Sequence, residues 1–507
     1  MRVLACGEDA VLLDCADLDD ARRRHASLVD HPDVTEAVLG ARTVLLRGHP
    51  ATLRTLARST PPSDDVAPPD AREHVVPVRY DGPDLADVAQ RTGLDEDAVV
   101  AAHTGTPWTV AFGGFAPGFA YLVGGDPRLA VPRRATPRPT VPAGAVGLAG
   151  EFSGIYPRAS PGGWQLLGTT DVALFDLDRT PAALLAPGDT VRFTVADRDV
   201  VAPDDADPGP QRHGQRGWRG VMSLTVVSAG PLTLVQDDGR LGLASQGVGP
   251  SGAFDRRATR QARALVGDAG RGTAVLEALG GGLVLRADAD HTLSVTGATG
   301  PLHVDATPVD HGRPLRLRAG QALHVGDPVV GLRTYVAVAG GLDLPPTLGS
   351  RSTDVLARLG PDALADGDVL DVGSPRTLPD TLPVPALLTP GTTTVDVVLG
   401  PRDDWFTRDA LAGFLGTAWA VSPRSDRIGV RLDGAPLERA VDGELASEPV
   451  VRGSVQVTSA GLPVVLGPDH PVTGGYPVVG VVTADGVDRL AQARPGDAVR
   501  FRRAPRP

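Results

Sequence analysis

Short hydrophobic runs separated by Gly- and Pro-containing turns recur along most of the chain, a pattern typical of β-strands. The first 75 residues differ, because strand-like and helix-like runs alternate there. The pattern predicts strands at Ala10–Asp14 and 38–46 and helices at 19–28 and 51–59. Residues 1–75 are therefore predicted to form a small α/β domain that ends in a Pro-rich linker at 61–70.

Residues 76–203 are predicted to form a second domain, which begins with helices and continues as strands. The predicted elements are a strand at 75–80, helices at 84–91 and 95–103, and strands at 109–112, Ala145–Ala149 and 191–195. A second linker, rich in Pro, Gly and Arg, is predicted at 204–220.

The rest of the chain is strand-like apart from predicted helices at Arg256–Leu265 and 405–415, and its first predicted strand is 223–228. Residues 495–501 (PGDAVRF) repeat residues 187–193 (PGDTVRF) almost letter for letter. The repeat predicts that both halves end in the same kind of barrel strand. Alternatively, Pro-Gly-Asp is common turn chemistry before a hydrophobic strand. Residues 360–372 are a weaker candidate for a third copy.

The chain contains neither lysine nor asparagine, so all 49 of its Lys-plus-Arg residues are arginine. An Arg- and Ala-rich coding preference explains this bias most simply. Without lysine the chain holds no biotinyl-lysine, no Schiff base to pyridoxal phosphate and no P-loop lysine. Every cationic role falls to arginine, which binds anions but does not exchange protons near neutral pH.

The net charge of −12 and the lack of an evident basic patch argue against nucleic-acid binding. Two cysteines, Cys6 and Cys15, make no disulfide framework and are predicted to be buried thiols. We see neither a signal peptide nor an apolar run long enough for a transmembrane helix, and we expect a cytoplasmic protein that does not bind membranes.

Several long motifs combine glycine, aromatic residues and arginine. In the first half they are 113–122 (GGFAPGFAYL), 132–144 (PRRATPRPTVPAG) and 154–168 (GIYPRASPGGWQLLG). In the second half they are 236–242 (QDDGRLG), 247–255 (GVGPSGAFD), 276–278 (LEA), 348–354 (LGSRSTD), 473–477 (TGGYP) and 490–492 (LAQ).

In this order and spacing the first set resembles the KipI-type family, also called allophanate hydrolase subunit 1, over about residues 1–200. The second set resembles the KipA-type family, allophanate hydrolase subunit 2, over about residues 221–505. The chain therefore looks like a fusion of these two partners, which are related to the B-type and C-type subunits of 5-oxoprolinase and to the carboxyltransferase part of urea amidolyases.

The resemblance implies a mainly β protein with an α+β N-terminal domain and several cyclophilin-like β-barrels. One barrel is expected at 76–203, and two KipA-type subdomains are expected at 221–385 and 386–507.

The resemblance also implies an ATP-dependent 5-oxoprolinase component that activates the small molecule 5-oxoproline for ring opening to glutamate. It implies ATP and Mg²⁺ as cofactors and no covalent biotin. The expected partner is the LamB/YcsF-type protein, which is the A-type component of 5-oxoprolinase, and assembly into an oligomer is expected. One alternative is the carboxyltransferase component of a biotin-dependent urea or amide carboxylase. Another is a non-catalytic regulator of a histidine kinase.

Three groups of residues are candidates for the site. The carboxylates that suit catalysis or Mg²⁺ are Asp237, Asp255 and Asp354. The predicted anion-binding residues are Arg133, Arg134, Arg138, Arg240, Ser350, Arg351 and Ser352. The predicted pocket wall consists of Phe115, Pro117, Phe119, Tyr121, Gly474, Gly475 and Tyr476.

Structural roles compete with some of these assignments. Asp237 and Arg240 form either part of a site or a salt bridge that pins a loop. Asp255 and Glu277 are predicted more readily as helix-terminal or paired buried carboxylates. For His103, at the end of a predicted helix, capping as a protonated imidazole is favoured over catalysis.

Overall fold

The computed structural model describes residues 1–64, 71–196, 222–268, 270, 272–374, 388 and 391–505. It is mainly β, with several barrel-like sheets, as predicted. The predicted linker at 204–220 lies outside the described residues, as do residues 65–70 of the first linker.

The N-terminal region is a four-stranded antiparallel sheet in the order β1-β2-β4-β3, covered by two helices. Its elements are β1 (Arg2–Ala5), β2 (Ala10–Asp14), α1 (Leu18–Leu28), β3 (Glu36–Leu39), β4 (Thr43–Arg47) and α2 (Pro50–Ser59). The prediction of one strand at 38–46 is wrong. A turn divides it, in which the Gly40 N–H donates to the Thr43 carbonyl at 2.8 Å.

The second region is a seven-stranded sheet in the order β12-β9-β10-β7-β6-β13-β5, with a β11-β8 ribbon beside it. Its elements are β5 (Glu73–Val78), α3 (Leu85–Thr92), α4 (Glu96–Gly105), β6 (Trp108–Gly113), β7 (Ala120–Val123), β8 (Arg138–Val141), β9 (Ala145–Ala149), β10 (Phe152–Ile155), β11 (Ser160–Gly162), β12 (Gln165–Thr169) and β13 (Thr190–Val195).

The third region packs a six-stranded sheet, β20-β19-β22-β17-β14-β24, against a five-stranded one, β15-β16-β23-β18-β21. Its elements are β14 (Ser223–Ala229), β15 (Leu232–Gln236), α5 (Arg256–Leu265), β16 (Val275–Leu279), β17 (Leu283–Ala287), β18 (His291–Thr299), β19 (Leu302–Val304), β20 (Thr307–Pro308), β21 (Pro314–Leu317), β22 (Ala322–Val325), β23 (Val330–Val338) and β24 (Val369–Asp371).

The fourth region is a closed barrel in the order β25-β32-β29-β30-β27-β26-β33. Its elements are β25 (Thr393–Leu399), α6 (Arg408–Gly416), β26 (Ala418–Val421), β27 (Gly429–Asp433), β28 (Glu448–Pro449), β29 (Ser454–Val457), β30 (Pro463–Leu466), β31 (Thr473–Gly474), β32 (Val478–Val482), α7 (Ala484–Leu490) and β33 (Ala498–Arg503).

Two helices in the fourth region differ from the prediction. The helix expected at 405–415 begins only at Arg408, because the Thr407 side chain accepts the Ala410 N–H and caps it. Helix α7 was not predicted, although Thr483 caps it in the same way by accepting from the Gly486 N–H.

The repeated PGD segments form corresponding strands. Strand β13 pairs in parallel with β5 and antiparallel with β6, and β33 pairs in the same way with β25 and β26. The two halves therefore end in strands with the same pairing pattern, as the repeat predicts. The candidate third copy does not, because β24 pairs antiparallel with β14.

The four regions share buried surfaces. Hydrophobic residues of the N-terminal region, including Cys6 and Leu45, pack with Val450 and Val481 of the fourth region. Both cysteines are buried free thiols, as predicted. A buried arginine, Arg402, lies within 3.3 Å of Asp14 and so joins the last region to the first.

Candidate functional site

The segment 113–122 lies at the junction between the two halves of the chain. The Gly118 N–H donates to the Gln246 carbonyl at 2.9 Å. The Phe115 N–H donates to the Thr473 hydroxyl at 3.1 Å. A Cβ at Gly113 would lie 2.2 Å from the Ser245 carbonyl oxygen, so only glycine permits this approach. The glycines of this motif bring the backbone close to the other half of the chain.

The aromatic residues of this segment pack into one cluster with Trp164. Ring centroids of Phe119 lie 5.2 Å from Phe115 and 5.4 Å from Trp164. Phe119 and Tyr121 are buried, as is Pro117, and Phe115 is half-buried. The cluster therefore forms core at the junction, and a role for these residues as a pocket wall stays a prediction.

Arginines of the segment 132–144 meet a buried carboxylate. Asp84 accepts hydrogen bonds from Arg134 at 2.7 Å, from Arg138 at 2.7 and 2.8 Å, and from the Leu166 N–H at 2.8 Å. Burial alone raises the pKa of Asp84, but the hydrogen bonds from Arg138 and Leu166 hold it below its usual value. Arg133 is exposed. Two of the three predicted anion-binding arginines in this segment thus bind a carboxylate of the chain itself.

The segment 348–354 also surrounds a carboxylate of the chain. Asp237 accepts from the hydroxyls of Ser350 and Ser352, each at 2.6 Å, and from the Arg351 N–H at 2.7 Å. Arg240 donates to the Ser352 carbonyl at 2.6 Å. Asp237 and Arg240 are therefore linked through Ser352 and not by a direct salt bridge.

The other predicted carboxylates have structural partners. Asp255 caps α5 by accepting the Ala258 N–H at 2.8 Å, and it also accepts from Gln492 at 2.8 Å. Asp354 accepts from two N–H groups of its own turn. Burial, and to a lesser extent Asp469, raises the pKa of Asp354. Their catalytic assignment is not tested by these contacts.

Glu277 is a paired buried carboxylate, as expected. It forms an ion pair with Arg427 and accepts from the Tyr335 hydroxyl at 2.9 Å.

The TGGYP segment forms the edge of a two-stranded ribbon. Gly474 pairs with Glu448, and a Cβ on Gly474 would lie 2.3 Å from the Gln456 side chain. Gly475 is half-buried and Tyr476 is 44% exposed.

A cavity of about 540 Å³ lies where the N-terminal region, the third region and the fourth region meet. This volume is typical of small-molecule sites. Its charged lining comprises Glu8, Asp9, Glu36, Arg47, Arg240, Arg256 and Arg452, and His470 also lines it. Of the predicted site residues that the structure describes, Arg240 alone lines it.

The acidic residues of the cavity already have partners. Arg47 bonds Asp9 at 3.1 Å and Glu36 at 3.3 Å, and Glu8 accepts the Ala484 N–H at 2.8 Å. By contrast, Arg240 is 3% exposed, and its Nε and one terminal nitrogen have no hydrogen-bond partner in the described part of the chain. Four arginines line the cavity, and their positive charge favours an anionic ligand.

Arg256 and Arg452 reinforce this positive character. The buried Nε atoms of both lack a partner among the described residues. The Arg452 guanidinium also bonds Asp488 at 2.8 Å, which leaves Arg256 as the less compensated of the two. Burial and, to a lesser extent, repulsion from the positive charge of Arg452 lower the pKa of Arg256 to about 10, so Arg256 is still charged at neutral pH.

His470 is the cavity's imidazole and was not singled out from the sequence. Its Nδ1 lies 2.7 Å from the Pro471 carbonyl oxygen, which can only accept, so Nδ1 carries the hydrogen. Burial, with lesser contributions from Arg47 and Arg452, lowers the pKa of His470 to about 4. The ring is therefore neutral at pH 7, and its buried Nε2 is a hydrogen-bond acceptor.

The prediction for His103 is wrong. Its ring is fully buried, with Nδ1 2.7 Å from the Tyr80 hydroxyl and Nε2 2.9 Å from the Ser153 hydroxyl. Burial lowers its pKa to about 3, so the imidazole is neutral rather than a protonated helix cap.

Within the described ranges, no group of three or more His, Cys, Asp or Glu side chains is placed to hold a metal ion. Over the same residues, no helix is long and apolar enough to cross a membrane.

Comparison with known families places both halves of the chain. Residues 246–503 match the model "Carboxyltransferase domain, subdomain A and B", and residues 1–185 match "Carboxyltransferase domain, subdomain C and D". The chain belongs to this carboxyltransferase-domain family. The resemblance of the two halves to C-type and B-type proteins is thereby confirmed.

Curated relatives match one half each. The C-type subunit of 5-oxoprolinase from Escherichia coli K12 is 37% identical over 282 residues, which is 55% of this chain and 90% of the relative. The B-type subunit of 5-oxoprolinase from Escherichia coli O157:H7 is 46% identical over 175 residues, 33% of this chain and 80% of the relative. The urea amidolyase of Lachancea kluyveri is 31% identical over 307 residues, 55% of this chain but 17% of that enzyme.

A solved structure matches both halves at once. The crystal structure of TTHA0988 in space group P6522 superimposes with a TM-score of 0.86 at 34% identity, covering 97% of this chain and all of the other. The arrangement of the four regions is therefore shared with a second chain of similar length. The relatives also indicate that this chain is a component of an enzyme.

Proposed function

We propose that the chain is the ATP-dependent component of a 5-oxoprolinase, in which the B-type and C-type parts are fused. The γ-phosphoryl group of ATP is transferred to the lactam oxygen of 5-oxoproline. One water adds to the carbon that bears the phosphorylated oxygen and the ring C–N bond breaks, which gives an acyl phosphate. A second water then displaces the phosphate and leaves glutamate, with a LamB/YcsF-type protein as partner. The observation that carries this proposal is that one chain matches both the B-type and the C-type subunits of 5-oxoprolinase.

The cavity supports the proposal because the participating ligands are anions. Arg240, Arg256 and Arg452 come from two regions of the chain and provide buried cationic groups for a carboxylate or for phosphate oxygens. Mg²⁺ commonly binds through nucleotide phosphates and water, with only one or two protein carboxylates. Bound ATP–Mg²⁺ would supply the phosphoryl group, and the arginines would position the anions.

The test is a coupled turnover assay. The purified chain and its LamB/YcsF-type partner should together convert 5-oxoproline to glutamate only when ATP and Mg²⁺ are both present. Reactions that lack one protein, or that contain a non-hydrolysable ATP analogue, are the controls. If two folded proteins yield no more glutamate than the ATP-free reaction, the proposal is wrong.

A carboxyltransferase function is the second candidate, favoured by the family description and by the similarity to urea amidolyase. Because the chain has no lysine, carboxybiotin would have to arrive on a separate protein. Transfer of carboxyl from carboxybiotin to urea by the purified chain, with no ATP-dependent glutamate formation, would favour this candidate over the first.

A further inference from the structure

Two buried carboxylates meet where the third region contacts the fourth. Asp354 belongs to the third region and is 2% exposed, and Asp469 belongs to the fourth and is 0% exposed. Asp469 accepts from the Val355 N–H at 3.0 Å. The Ser251 hydroxyl lies 2.7 Å from Asp469 and 3.2 Å from the Thr353 carbonyl oxygen. The Asp469 carboxylate is therefore held against the backbone on both sides of Asp354.

The two carboxylates differ in their positive partners. Arg427 forms a fork on Asp469, with its Nε at 2.8 Å and a terminal nitrogen at 3.0 Å. Asp354 has no ion pair among the residues that the structure describes, and one of its oxygens accepts the N–H groups of Leu356 and Ala357. A buried carboxylate without an ion pair is costly to ionise, and the negative charge of Asp469 adds to that cost.

The charged groups that act on Asp354 are one acid and two arginines, namely Asp469, Arg240 and Arg427. Each arginine also serves another acid, because Arg240 acts on Asp237 and Arg427 pairs with Glu277. Arg358, on the same turn as Asp354, is exposed. Burial and then repulsion by Asp469 outweigh the arginines and raise the pKa of Asp354 to about 7.

We propose that the contact between the third and fourth regions is a pH-sensitive lock, in which Asp354 holds a proton at mildly acidic pH and releases it as the pH rises above neutral. Ionisation places a second negative charge beside Asp469 and weakens the contact. The lock borders the cavity, because Arg240 and His470, the residue after Asp469, both line it.

Proton linkage gives the direction of the effect. The folded chain keeps this proton up to about pH 7, whereas an unfolded aspartate keeps it only below about pH 3.9. The stability contributed by the proton is complete below the lower value and is lost as the pH rises to the upper one. Between about pH 5 and pH 8 the unfolding equilibrium constant of the wild type should therefore rise roughly 50- to 100-fold more than that of Asp354→Asn, whose side chain is neutral throughout.

Urea unfolding measures this difference, with hydrogen exchange read on peptides of the third and fourth regions. Asp362→Asn changes an exposed aspartate of the third region and should behave as the wild type. Equal pH dependence in the wild type and in folded Asp354→Asn would overturn the proposal.

Infrared difference spectroscopy detects the proton directly in the folded chain. Between about pH 6 and pH 8 the wild type and Asp362→Asn should lose one more protonated-carboxyl C=O stretch than Asp354→Asn. The midpoint of this loss should move up in Arg240→Gln, which removes a positive charge, and down in Asp469→Asn, which removes a negative one.

Each infrared outcome also decides the proposal. A loss of the same size in Asp354→Asn assigns the proton to another acid, and a midpoint unmoved in folded Arg240→Gln contradicts the cluster of charges. If Asp354→Asn does not fold, the wild-type titration and the Arg240→Gln midpoint still decide it. None of these measurements involves turnover, so they are independent of the proposed function.

Discussion

His103 is the basis of a quantitative prediction about stability and pH. The last barrel has a phenylalanine, Phe414, at the corresponding position. The His103 ring stacks on Phe193 and the Phe414 ring on Phe501, each with centroids 4.3 Å apart. The indole of the following tryptophan, in each barrel, donates to the backbone carbonyl at this position at 3.1 Å. A phenylalanine should therefore fit at position 103.

His103→Phe should destabilise the second region at neutral pH. The substitution removes the partner of the Tyr80 and Ser153 hydroxyls, and each unsatisfied buried hydroxyl costs about 1–3 kcal/mol. The packing loss is small because the ring is retained. For the two hydroxyls together we expect a loss of about 2–6 kcal/mol in the free energy of unfolding at pH 7.

Acidification should reduce that difference. The pKa of His103 is about 3 in the folded chain and about 6.5 in the unfolded chain, so only the unfolded chain binds the proton between these values. The stability contributed by neutral His103 is complete above about pH 6.5 and is lost as the pH falls toward 3. At about pH 5 the loss is about 1.5 × 1.36, or about 2 kcal/mol, in the wild-type chain and absent in the variant.

Urea unfolding at about pH 7 and pH 5 measures both quantities. Pulse-labelling hydrogen exchange, read on peptides from α4 and β13, restricts the signal to the region that contains His103. Ser153→Ala is the matched control, because it removes one hydroxyl but keeps the imidazole. An equal difference between wild type and His103→Phe at the two pH values, within about 0.5 kcal/mol, would refute the assignment of a neutral buried imidazole.

Two further substitutions test the arginine-binding carboxylate and the junction. Asp84→Ala should cost about 2–4 kcal/mol in the free energy of unfolding, because it leaves the buried Leu166 N–H and two half-buried arginines without their acceptor. Asp87→Ala changes an exposed residue of α3 and is the control in the same urea titration. Gly113→Ala should lower the melting temperature by several degrees, because the new Cβ would clash with the Ser245 carbonyl oxygen. An unchanged melting temperature would contradict the close approach. Gly105→Ala is the control and should be tolerated, because its Cβ would meet nothing within 4 Å.

Local sequence signals predicted the regular elements well. Helix α5 begins at Arg256 as predicted because Asp255 caps it, and the PGD repeat identified two equivalent barrel strands. The turn at Gly40 was missed because hydrophobic residues flank it on both sides. The third PGD-like segment was misleading because the turn chemistry is local, whereas parallel or antiparallel pairing depends on a distant strand.

The candidate site was less predictable for the same reason. Arg134 and Arg138 suggest an anion site until Asp84, fifty or more positions away, is found to accept from both. Arg452 and His470 lie in segments without a distinctive pattern, and their roles arise only where remote regions meet. The sequence offered one indirect signal for His470. Because the chain has no lysine, the candidates for a general base within it are its carboxylates and its histidines.

The packing of the N-terminal sheet against the last barrel has a consequence for assembly. Arg47 of one half of the chain and His470 of the other both line the cavity, so the cavity is complete only when the two halves are associated. Covalent connection makes that association unimolecular and sets the ratio of the halves at one to one. Dilution that would separate independent B-type and C-type proteins should leave the cavity of this chain intact, so ligand binding per chain should not depend on protein concentration.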